Sequence, residues 1–374
     1  PKRWLSVHVT APRVNGVLDL AKDDCHVPDG EVASQAGERA KYINLRNGLY
    51  NLETHRLEPH RRELYFIDQL PFAYNPDADC PTFKTYLTTS LVDEQGLADN
   101  SMIALACQAI GYGLTARTDL KSAFWLHGPT NSGKSTFISL LSKLAGSLHT
   151  AIDLNELGSR FGLGSIIGKR IATCTEAHAQ SVIRDDVFKT LTGGNDHVVI
   201  ERKYKDPVIV VPEVKLFWGM NNAPRTRDRS GALLNRLRVL LFNRTIPHEK
   251  RIADLDARLF EESAGIFNLA MYYLKSLQQS GSFVSCPQSE AWKERYRLKN
   301  DVEASFLLEC VERVDDSSTV KGQALYDAYS NWCKQNGFSP QNANNAAERW
   351  QDDLGLRKVH RNDGSHWIGV RMKS

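Results

Sequence analysis

Residues Gly128 to Ser135, with the sequence GPTNSGKS, carry the clearest chemical signal in the chain. They match the pattern G-x-x-x-x-G-K-[ST], whose glycines let the backbone curl so that successive N–H groups converge on a phosphate. Lys134 is then placed to reach the β- and γ-phosphates of a nucleoside triphosphate, and the Ser135 hydroxyl to bind Mg²⁺. The predicted ATP-binding residues are Gly128, Pro129, Thr130, Asn131, Ser132, Gly133, Lys134, Ser135 and Thr136.

A triphosphatase also needs a carboxylate beside the bound metal, and Glu176 is our candidate. It follows the apolar run Arg170 to Cys174, which predicts a buried strand. At the end of that strand Glu176 is expected to hold the Mg²⁺ shell or to polarise the attacking water. The alternatives are a solvated Glu176 at a strand end, or Asp185 and Asp186, which lie in a polar helical stretch typical of a surface.

Two further polar residues stand next to predicted strands. Asn221 follows the strand Val214 to Trp218, where its amide is expected to orient the attacking water and sense the γ-phosphate. Arg236 precedes the strand Val239 to Phe242, and an exposed arginine there is suited to reach the nucleotide of a neighbouring subunit and stabilise transition-state charge. A surface ion pair is the alternative role for Arg236 or Arg238. The predicted catalytic set is therefore Lys134, Glu176, Asn221 and Arg236, with Ser135 and Glu176 as metal ligands.

A basic turn lies between Glu176 and Asn221. A Gly-rich break, a strand and a second strand from Val208 to Val211 predict a hairpin with a basic tip. The tip residues are Arg202, Lys203, Tyr204 and Lys205. Cations neutralise phosphates and an aromatic ring stacks on bases or sugars, so we expect DNA contact here. An ordinary solvated basic turn is the alternative.

The elements that must position these residues alternate short apolar runs with helical patterns. This alternation predicts an α/β fold with a P-loop core over 115–280. Before it, residues 1–114 predict a mainly helical lead-in domain, with a hairpin at Tyr42 to Tyr50 and a helix ending at Gly111 and Gly113. After it, a polar connector over 281–301 leads to three helices and a hairpin over 302–374, which suggest a winged helix.

Bulk composition excludes some classes of protein. The chain has 374 residues, 41% hydrophobic and 24% charged, with a net charge of +3. No apolar run approaches the ~20 residues of a membrane-spanning helix, and no secretory leader pattern is present, so we expect a cytoplasmic protein without a membrane partner. The strongest basic bias is at Arg357 to Lys373, where a winged helix would contact duplex DNA or a replication partner.

The ordered motifs resemble those of the superfamily 3 helicases, especially the branch of phage and plasmid primase-helicases and poxvirus-type NTPases. Residues Gly128 to Thr136 resemble the family's phosphate loop, and Lys169 to Glu176 its second acidic motif. Three more segments, Thr192 to Lys205, Lys215 to Pro224 and Asp228 to Arg236, resemble the B′ motif with its hairpin, the sensor motif and the stretch before the arginine finger. The flanks at 43–52, 70–81 and 111–114, and the tail from Leu325 to Trp367, are similar to the lead-in and winged-helix parts of that branch.

The resemblance implies a hexameric ring with an AAA+-like core, in which ATP lies between subunits and basic hairpins line a channel. It implies a replicative helicase that moves 3′ to 5′ on single-stranded DNA and separates forked DNA, in the bacterial cytoplasm for a phage or plasmid protein. The lead-in domain would take part in oligomerisation. No primase motifs appear in this sequence, so a primase module, if the intact protein has one, would lie upstream of Pro1.

Two departures from the family pattern leave roles open. Thr175 replaces the first acidic residue of some members, which leaves the Mg²⁺ geometry at Glu176 open. Asn235 replaces one of two paired arginines, so Arg238 is an alternative finger. The competing functions are a non-helicase ATPase for DNA packaging or remodelling, and an origin-binding protein with a weak nucleotide site.

Overall fold

The computed structural model describes residues 11–24, 29–153, 157, 159, 162–176, 183–194, 196–224, 226 and 231–373. We call residues 11–114 the lead-in, 115–300 the sheet core, and 301–373 the C-terminal unit. None of the described helices is long and apolar enough to cross a membrane. The domain boundaries drawn from the sequence stay predictions.

The lead-in combines helices with a small antiparallel sheet. Its elements are α1 Ala11–Asp24, α2 Asp29–Ser34, α3 Ala36–Arg39, β1 Tyr42–Leu45, β2 Gly48–Asn51, β3 Arg56–Glu58, α4 Pro81–Ser90 and α5 Asn100–Leu114. Strands β1 and β2 pair from Leu45↔Gly48 outward, which confirms the predicted hairpin. Asp99 caps α5 by accepting hydrogen bonds from the backbone N–H groups of Ser101 and Met102.

The sheet core alternates strands and helices. Its first elements are β4 Ala123–His127, α6 Lys134–Ala145, β5 His149–Ala151, β6 Ile171–Cys174, α7 Asp185–Leu191, β7 Val198–Arg202 and β8 Lys205–Val210. They are followed by β9 Lys215–Met220, α8 Ala232–Arg236, β10 Leu237–Leu241, α9 Leu255–Glu261, α10 Ser263–Ser280 and α11 Pro287–Asn300.

Five of these strands form one sheet with the order β10-β4-β9-β6-β5, and all neighbours are parallel. Strands buried on both faces are mostly apolar, as in β4 and β9, where Trp125 stacks on Trp218 and Phe124 on Phe217. The predicted α/β class is confirmed. Because the strands run the same way, their C-terminal ends share one edge and their N-terminal ends the other. We call these the carboxyl edge and the amino edge.

Gly111 and Gly113 lie in the last turn of α5, which ends at Leu114, one residue beyond the predicted pair. A Cβ added to Gly111 would lie 2.7 Å from the carbonyl oxygen of Ala270 in α10. A Cβ added to Gly113 would lie 3.3 Å from the rings and methyls of Phe217 and Ile171. These glycines therefore allow α5 to lie close to α10 and to the sheet, which is a packing role that their sequence position alone did not reveal.

Most of the segment predicted as a polar connector, 281–301, is the helix α11. Its Trp292 and Tyr296, one turn apart, are buried against Trp125 of β4. Tyr296 also donates a hydrogen bond of 2.6 Å from its hydroxyl to the carbonyl of Pro224. Residues of the lead-in and of the sheet core, α11 included, belong to one continuous hydrophobic cluster.

The C-terminal unit has a separate hydrophobic cluster built around Phe306, Tyr329, Trp350 and Trp367. Its elements are α12 Val302–Cys310, β11 Val311–Arg313, β12 Thr319–Lys321, α13 Gly322–Gln335, α14 Ala343–Asp352, β13 Arg357–Arg361, β14 Gly364–Ile368 and β15 Val370–Met372. Strands β13 and β14 form the predicted hairpin, and β12 pairs with the other side of β14. The three predicted helices and the hairpin are confirmed.

Asp301 is the single residue between α11 and α12. One of its carboxylate oxygens accepts a hydrogen bond from the backbone N–H of Ala304, which caps α12. The other is 2.6 Å from the guanidinium of Arg349 in α14, and both side chains are largely buried. Asp301 thus fixes the junction between the sheet core and the C-terminal unit, because it both caps α12 and pairs with Arg349.

Candidate functional site

The loop from Gly128 to Gly133 joins β4 at the carboxyl edge to α6. Gly133 has a φ of +103°, a left-handed backbone that favours glycine. A Cβ at Gly128 would lie 2.1 Å from the carbonyl oxygen of Phe242, so only glycine fits there. The loop therefore has the curled shape that the sequence predicts, with the first turn of α6 and its N–H groups at the end of it.

Lys134 turns its ammonium group into this loop. Its Nζ donates hydrogen bonds to the carbonyl oxygens of Gly128 at 2.8 Å and Pro129 at 2.6 Å, and to the Ser132 hydroxyl at 3.2 Å. Burial lowers the pKa of Lys134. An ammonium group held by neutral carbonyls gains from exchanging them for phosphate oxygens, because a charged acceptor gives stronger hydrogen bonds.

Four side chains or N–H groups from distant segments hold the phosphate loop. The Tyr86 hydroxyl donates to the Gly133 carbonyl at 2.8 Å, and the Ile246 N–H donates to the Asn131 carbonyl at 2.9 Å. Thr130 is held twice: its carbonyl accepts from the Thr245 hydroxyl at 3.0 Å, and its hydroxyl from Asn221 Nδ2 at 3.3 Å. The loop is therefore fixed from α4, from the segment after β10 and from the end of β9.

A cavity of about 810 Å³ opens above this loop, within the range typical of small-molecule sites. It brings together the predicted residues Lys134, Ser135, Glu176 and Asn221, along with Thr130 to Thr136. Neither Asp185 nor Asp186 lines it; Asp185 accepts a hydrogen bond from the Thr226 hydroxyl, and Asp186 pairs with Arg184. Glu176 is thus the better placed of the candidate acids.

The sequence analysis missed several residues that line the same cavity. They are Thr85, Tyr86, Thr89 and Ser90 of α4, and Ile246, Arg251, Ile252 and Leu255 after β10. They lie far from the phosphate loop along the chain and match no motif. The i, i+4 spacing of Thr85 with Thr89, and of Tyr86 with Ser90, marks one helix face, but nothing in the sequence says what that face covers.

Arg236 lies at the other edge of the sheet. It ends α8 just before β10, whose first residue pairs with the first residue of β4, whereas the phosphate loop follows the last residue of β4. Five residues of strand separate the two positions, roughly 16 Å. Arg236 Nη1 donates to the Ala232 carbonyl at 3.0 Å, and its buried Nε has no hydrogen-bond partner in the described part of the chain. Arg236 therefore does not belong to the cavity of its own subunit.

The alternative finger, Arg238, is bound more firmly within the core. Its guanidinium lies 5.3 Å from the centre of the Phe283 ring and donates to the carbonyls of Asn235 and Leu237. Burial lowers its pKa. Residues 227–230, which belong to the motif leading to the finger, lie outside the described residues. Arg236 would therefore lose fewer contacts than Arg238 if its side chain turned toward another molecule.

Strands β7 and β8 form a separate antiparallel hairpin, as predicted. Val198 and Ile200 face the core, while Val199 and Ile209 pair on the exposed face. The turn is Lys203-Tyr204, with Arg202 opposite Lys205.

Tyr204 is almost fully exposed at this tip. Its side chain is 93% exposed, and Lys203 Nζ lies 5.3 Å from the centre of its ring. In the described structure no carboxylate pairs with Lys203 or Lys205. The basic tip is therefore free to bind an anionic polymer, and β9, which follows the hairpin, begins at the amino edge.

Comparisons with known proteins fit this arrangement. Residues 2–91 match the model of a domain described as D5 N terminal like. Residues 126–236 match a family of unknown function, DUF5906, and this range contains every predicted catalytic, ATP-binding and DNA-binding residue. A protein of Acanthamoeba polyphaga mimivirus, "Putative helicase L207/L206", is 25% identical over an alignment of 266 residues that covers 64% of this chain. The chain spans 27% of the length of that relative.

Together these matches support a phage or viral protein of the superfamily 3 helicase type. The fold agrees with a solved structure, the apo A form of the NrS-1 C-terminal region, at a TM-score of 0.50 and 14% identity over 80% of this chain and 77% of that one. Another apo structure of that region gives a TM-score of 0.48 at 16% identity, with the same coverage.

Two of the five arginines and lysines in the basic segment from Arg357 to Lys373 form ion pairs. Arg357 pairs with Asp316, and Arg371 pairs with Glu312 at 2.6 Å. Lys358 lies 5.6 Å from the centre of the Trp367 ring, and Lys373 Nζ donates to the Leu308 carbonyl. Paired cations gain less from a DNA phosphate than free ones, so the hairpin tip is the stronger candidate for nucleic-acid contact.

Proposed function

We propose that this chain is the motor portion of an ATP-dependent replicative DNA helicase. The observation that carries the proposal is the division of the predicted residues between two edges of one sheet. Lys134, Ser135, Glu176 and Asn221 share a cavity at the carboxyl edge, while Arg236 and the start of the strand that follows the basic hairpin lie at the amino edge. A helicase needs both a triphosphate site and an element that binds DNA.

At the carboxyl edge, the residues have distinct roles in hydrolysis. Lys134 binds the β- and γ-phosphates and stabilises charge that develops during cleavage. Glu176 polarises the attacking water, and Asn221 orients it. Asn221 also donates to Thr130 of the phosphate loop, so loss of the γ-phosphate would change the contacts of Asn221 at the end of β9.

The residues fit Mg²⁺ as the cofactor. Mg²⁺ is bound by few protein oxygens, with phosphates and water completing its shell. Ser135 offers a hydroxyl and Glu176 a carboxylate in the same cavity, and both are oxygen donors. When bound, the ion would neutralise phosphate charge.

The position of Arg236 supports an assembly in which nucleotides lie between subunits. About 16 Å of strand separates it from the phosphate loop of its own chain, so only a neighbouring subunit can place this arginine on a nucleotide. We infer a closed ring, with six subunits and 3′ to 5′ movement on single-stranded DNA implied by the resemblance to superfamily 3 and its AAA+-like core. The strand order with β4 between β10 and β9 supports that core.

The C-terminal unit supports a winged helix, because three helices precede a β13–β14 hairpin. Its paired cations favour contact with a replication partner over tight binding of duplex DNA. An upstream primase module is a further proposed partner.

The test is ATP hydrolysis and strand displacement on a 3′-tailed fork, measured for the wild type and for two inactive variants mixed together. Lys134→Ala and Arg236→Ala are each expected to abolish hydrolysis. If Arg236 acts on the neighbour's nucleotide, mixtures of the two will recover part of the activity, since some interfaces combine an intact Lys134 with an intact Arg236. Arg244→Ala, which removes an exposed arginine that donates to the Glu94 carbonyl, is the control and should retain activity.

Two outcomes would redirect the proposal. Mixtures without recovery would place Arg236 outside a shared site. Hydrolysis without displacement of any forked substrate would favour a packaging or remodelling ATPase, and binding of ATP without turnover would favour an origin-binding protein.

A further inference from the structure

The cavity above the phosphate loop extends well beyond the residues that bind phosphates. Glu176 and Asn221 lie on the β6 and β9 side of the loop, so the γ-phosphate points that way. On the other side of β4 lies β10, and the cavity continues there between α4 and the segment 246–255. The rest of a bound nucleotide, its sugar and base, must occupy this second part.

One wall of this second part of the cavity carries hydroxyl groups that can only accept hydrogen bonds from a ligand. Thr85 Oγ1 donates to the Pro81 carbonyl at 2.9 Å, and Thr89 Oγ1 donates to the Thr85 carbonyl at 2.8 Å. A hydroxyl has one proton, so each threonine offers only acceptor lone pairs to the cavity. This wall therefore favours a ligand that presents N–H donors, and it disfavours one that presents a carbonyl.

The opposite wall is apolar and fixed in place. Ile246, Ile252 and Leu255 line it and are half-buried. Its ends are held by the Ile246 N–H bond to the Asn131 carbonyl and by a 2.7 Å hydrogen bond from the Ser139 hydroxyl to Asp256, next to Leu255. A flat aromatic base buries its faces well against such branched side chains.

Ser90 is a third observation that points to a ligand. It lines the cavity beside Gly133, is only 1% exposed, and its Oγ has no hydrogen-bond partner among the described residues. A buried hydroxyl without a partner is uncommon in folded proteins, and a bound ligand that accepts its proton accounts for it.

We propose that α4 and the segment 246–255 form a nucleobase subsite that selects adenine. The amino group of adenine donates to Thr85 and Thr89, the ring lies against Ile252 and Leu255, and Ser90 donates to the sugar or α-phosphate. Guanine presents a carbonyl at the equivalent position, which meets two acceptors. This inference rests on the proposed nucleotide site and adds the choice of base to it.

The experiment is calorimetric titration of the full chain with ADP, GDP and inorganic pyrophosphate in the presence of Mg²⁺. We expect the wild type to bind ADP roughly tenfold tighter than GDP. The double variant Thr85→Val/Thr89→Val keeps the shape of both side chains and should lose about tenfold in ADP affinity, with pyrophosphate binding unchanged. Thr88→Val is the matched control, because its hydroxyl also donates to helix carbonyls but does not line the cavity.

The outcomes separate this inference from the function on which it rests. Equal binding of ADP and GDP by the wild type, or an unchanged ADP affinity in the double variant, overturns the adenine subsite while pyrophosphate binding still supports the phosphate site. An equal loss in Thr88→Val also overturns it, because the effect would then come from the helix and not from the cavity. A wild type that binds neither ADP nor pyrophosphate removes the nucleotide site and the base subsite together.

Discussion

The two edges of the central sheet are built in different ways. At the carboxyl edge the phosphate loop is held by hydrogen bonds from α4, from the end of β9 and from the segment after β10. Before the amino edge, the β7–β8 hairpin forms a separate two-stranded sheet with a 93% exposed tyrosine at its tip. Charge stabilisation needs donors fixed before the reaction, whereas a polymer grip needs accessible side chains. Under the proposed function, hydrolysis takes place at the carboxyl edge and DNA contact at the tip of the hairpin.

The largest effect should follow from removing the ammonium group at the fixed edge. Lys134→Ala is expected to lower kcat/KM for ATP by about 100-fold or more, because a preorganised charge is lost from the phosphates. Steady-state phosphate release measures this. Lys169→Ala is the control, since Lys169 does not line the cavity and its Nζ donates to the Ser147 carbonyl. Near-normal turnover in Lys134→Ala would remove the assigned roles from the carboxyl edge.

The same edge should be sensitive to acid through His127, which lies at the start of the phosphate loop. Burial, with the charges of Lys134, Arg295 and Lys299, lowers the pKa of His127 to about 4. An unfolded histidine titrates near ~6.5 and binds its proton first as the pH falls, so the folded state is destabilised between those two values and not above them. At pH 5 the loss should be about 2 kcal/mol relative to pH 7.

Urea denaturation of the wild type and of His127→Gln at both pH values measures this contribution. The variant does not titrate, so its free energy of unfolding should fall by about 2 kcal/mol less between pH 7 and pH 5. Parallel pH profiles in the two proteins would contradict the burial of a neutral His127.

The hairpin should affect DNA and leave basal hydrolysis alone. Lys203→Ala/Tyr204→Ala is expected to weaken binding of a single-stranded oligonucleotide about tenfold, and to reduce the slope of log K against log salt by about one. Fluorescence anisotropy over a salt series measures both quantities. Arg361→Ala, at the turn of the β13–β14 hairpin, is the matched control. If Arg361→Ala proves the more damaging, DNA contact belongs to the C-terminal unit.

The smallest effect concerns a residue that positions the phosphate loop without contacting phosphate. Tyr86→Phe removes the hydroxyl that donates to the Gly133 carbonyl, and we expect a loss of about 1 kcal/mol in stability and a several-fold weaker affinity for pyrophosphate. Tyr272→Phe, at an exposed tyrosine, should change neither. An unchanged pyrophosphate affinity in Tyr86→Phe would mean that the loop keeps its shape without α4.

Sequence reasoning was most successful where local pattern determines position. The phosphate loop, Glu176 and Asn221 follow strand ends, and parallel strands bring their ends to one edge, so their convergence was predictable. Tyr86, Ser90 and the segment 246–255 were not predictable, because they reach the cavity through the packing of elements distant in sequence. Helix α11 was missed because its polar composition outweighed the one-turn spacing of Trp292 and Tyr296, and Gly111 because helix packing and helix termination look alike in one sequence.

Asp301 determines how motion can pass between the two parts of the molecule that have separate hydrophobic clusters. Trp292 of α11 lies beside His127, next to the phosphate loop. Helix α11 passes into α12 through Asp301 alone, which caps α12 and forms an ion pair with Arg349. We expect a one-residue linker with these two interactions to be rigid. A tilt of α11 near the phosphate loop would therefore rotate the whole C-terminal unit.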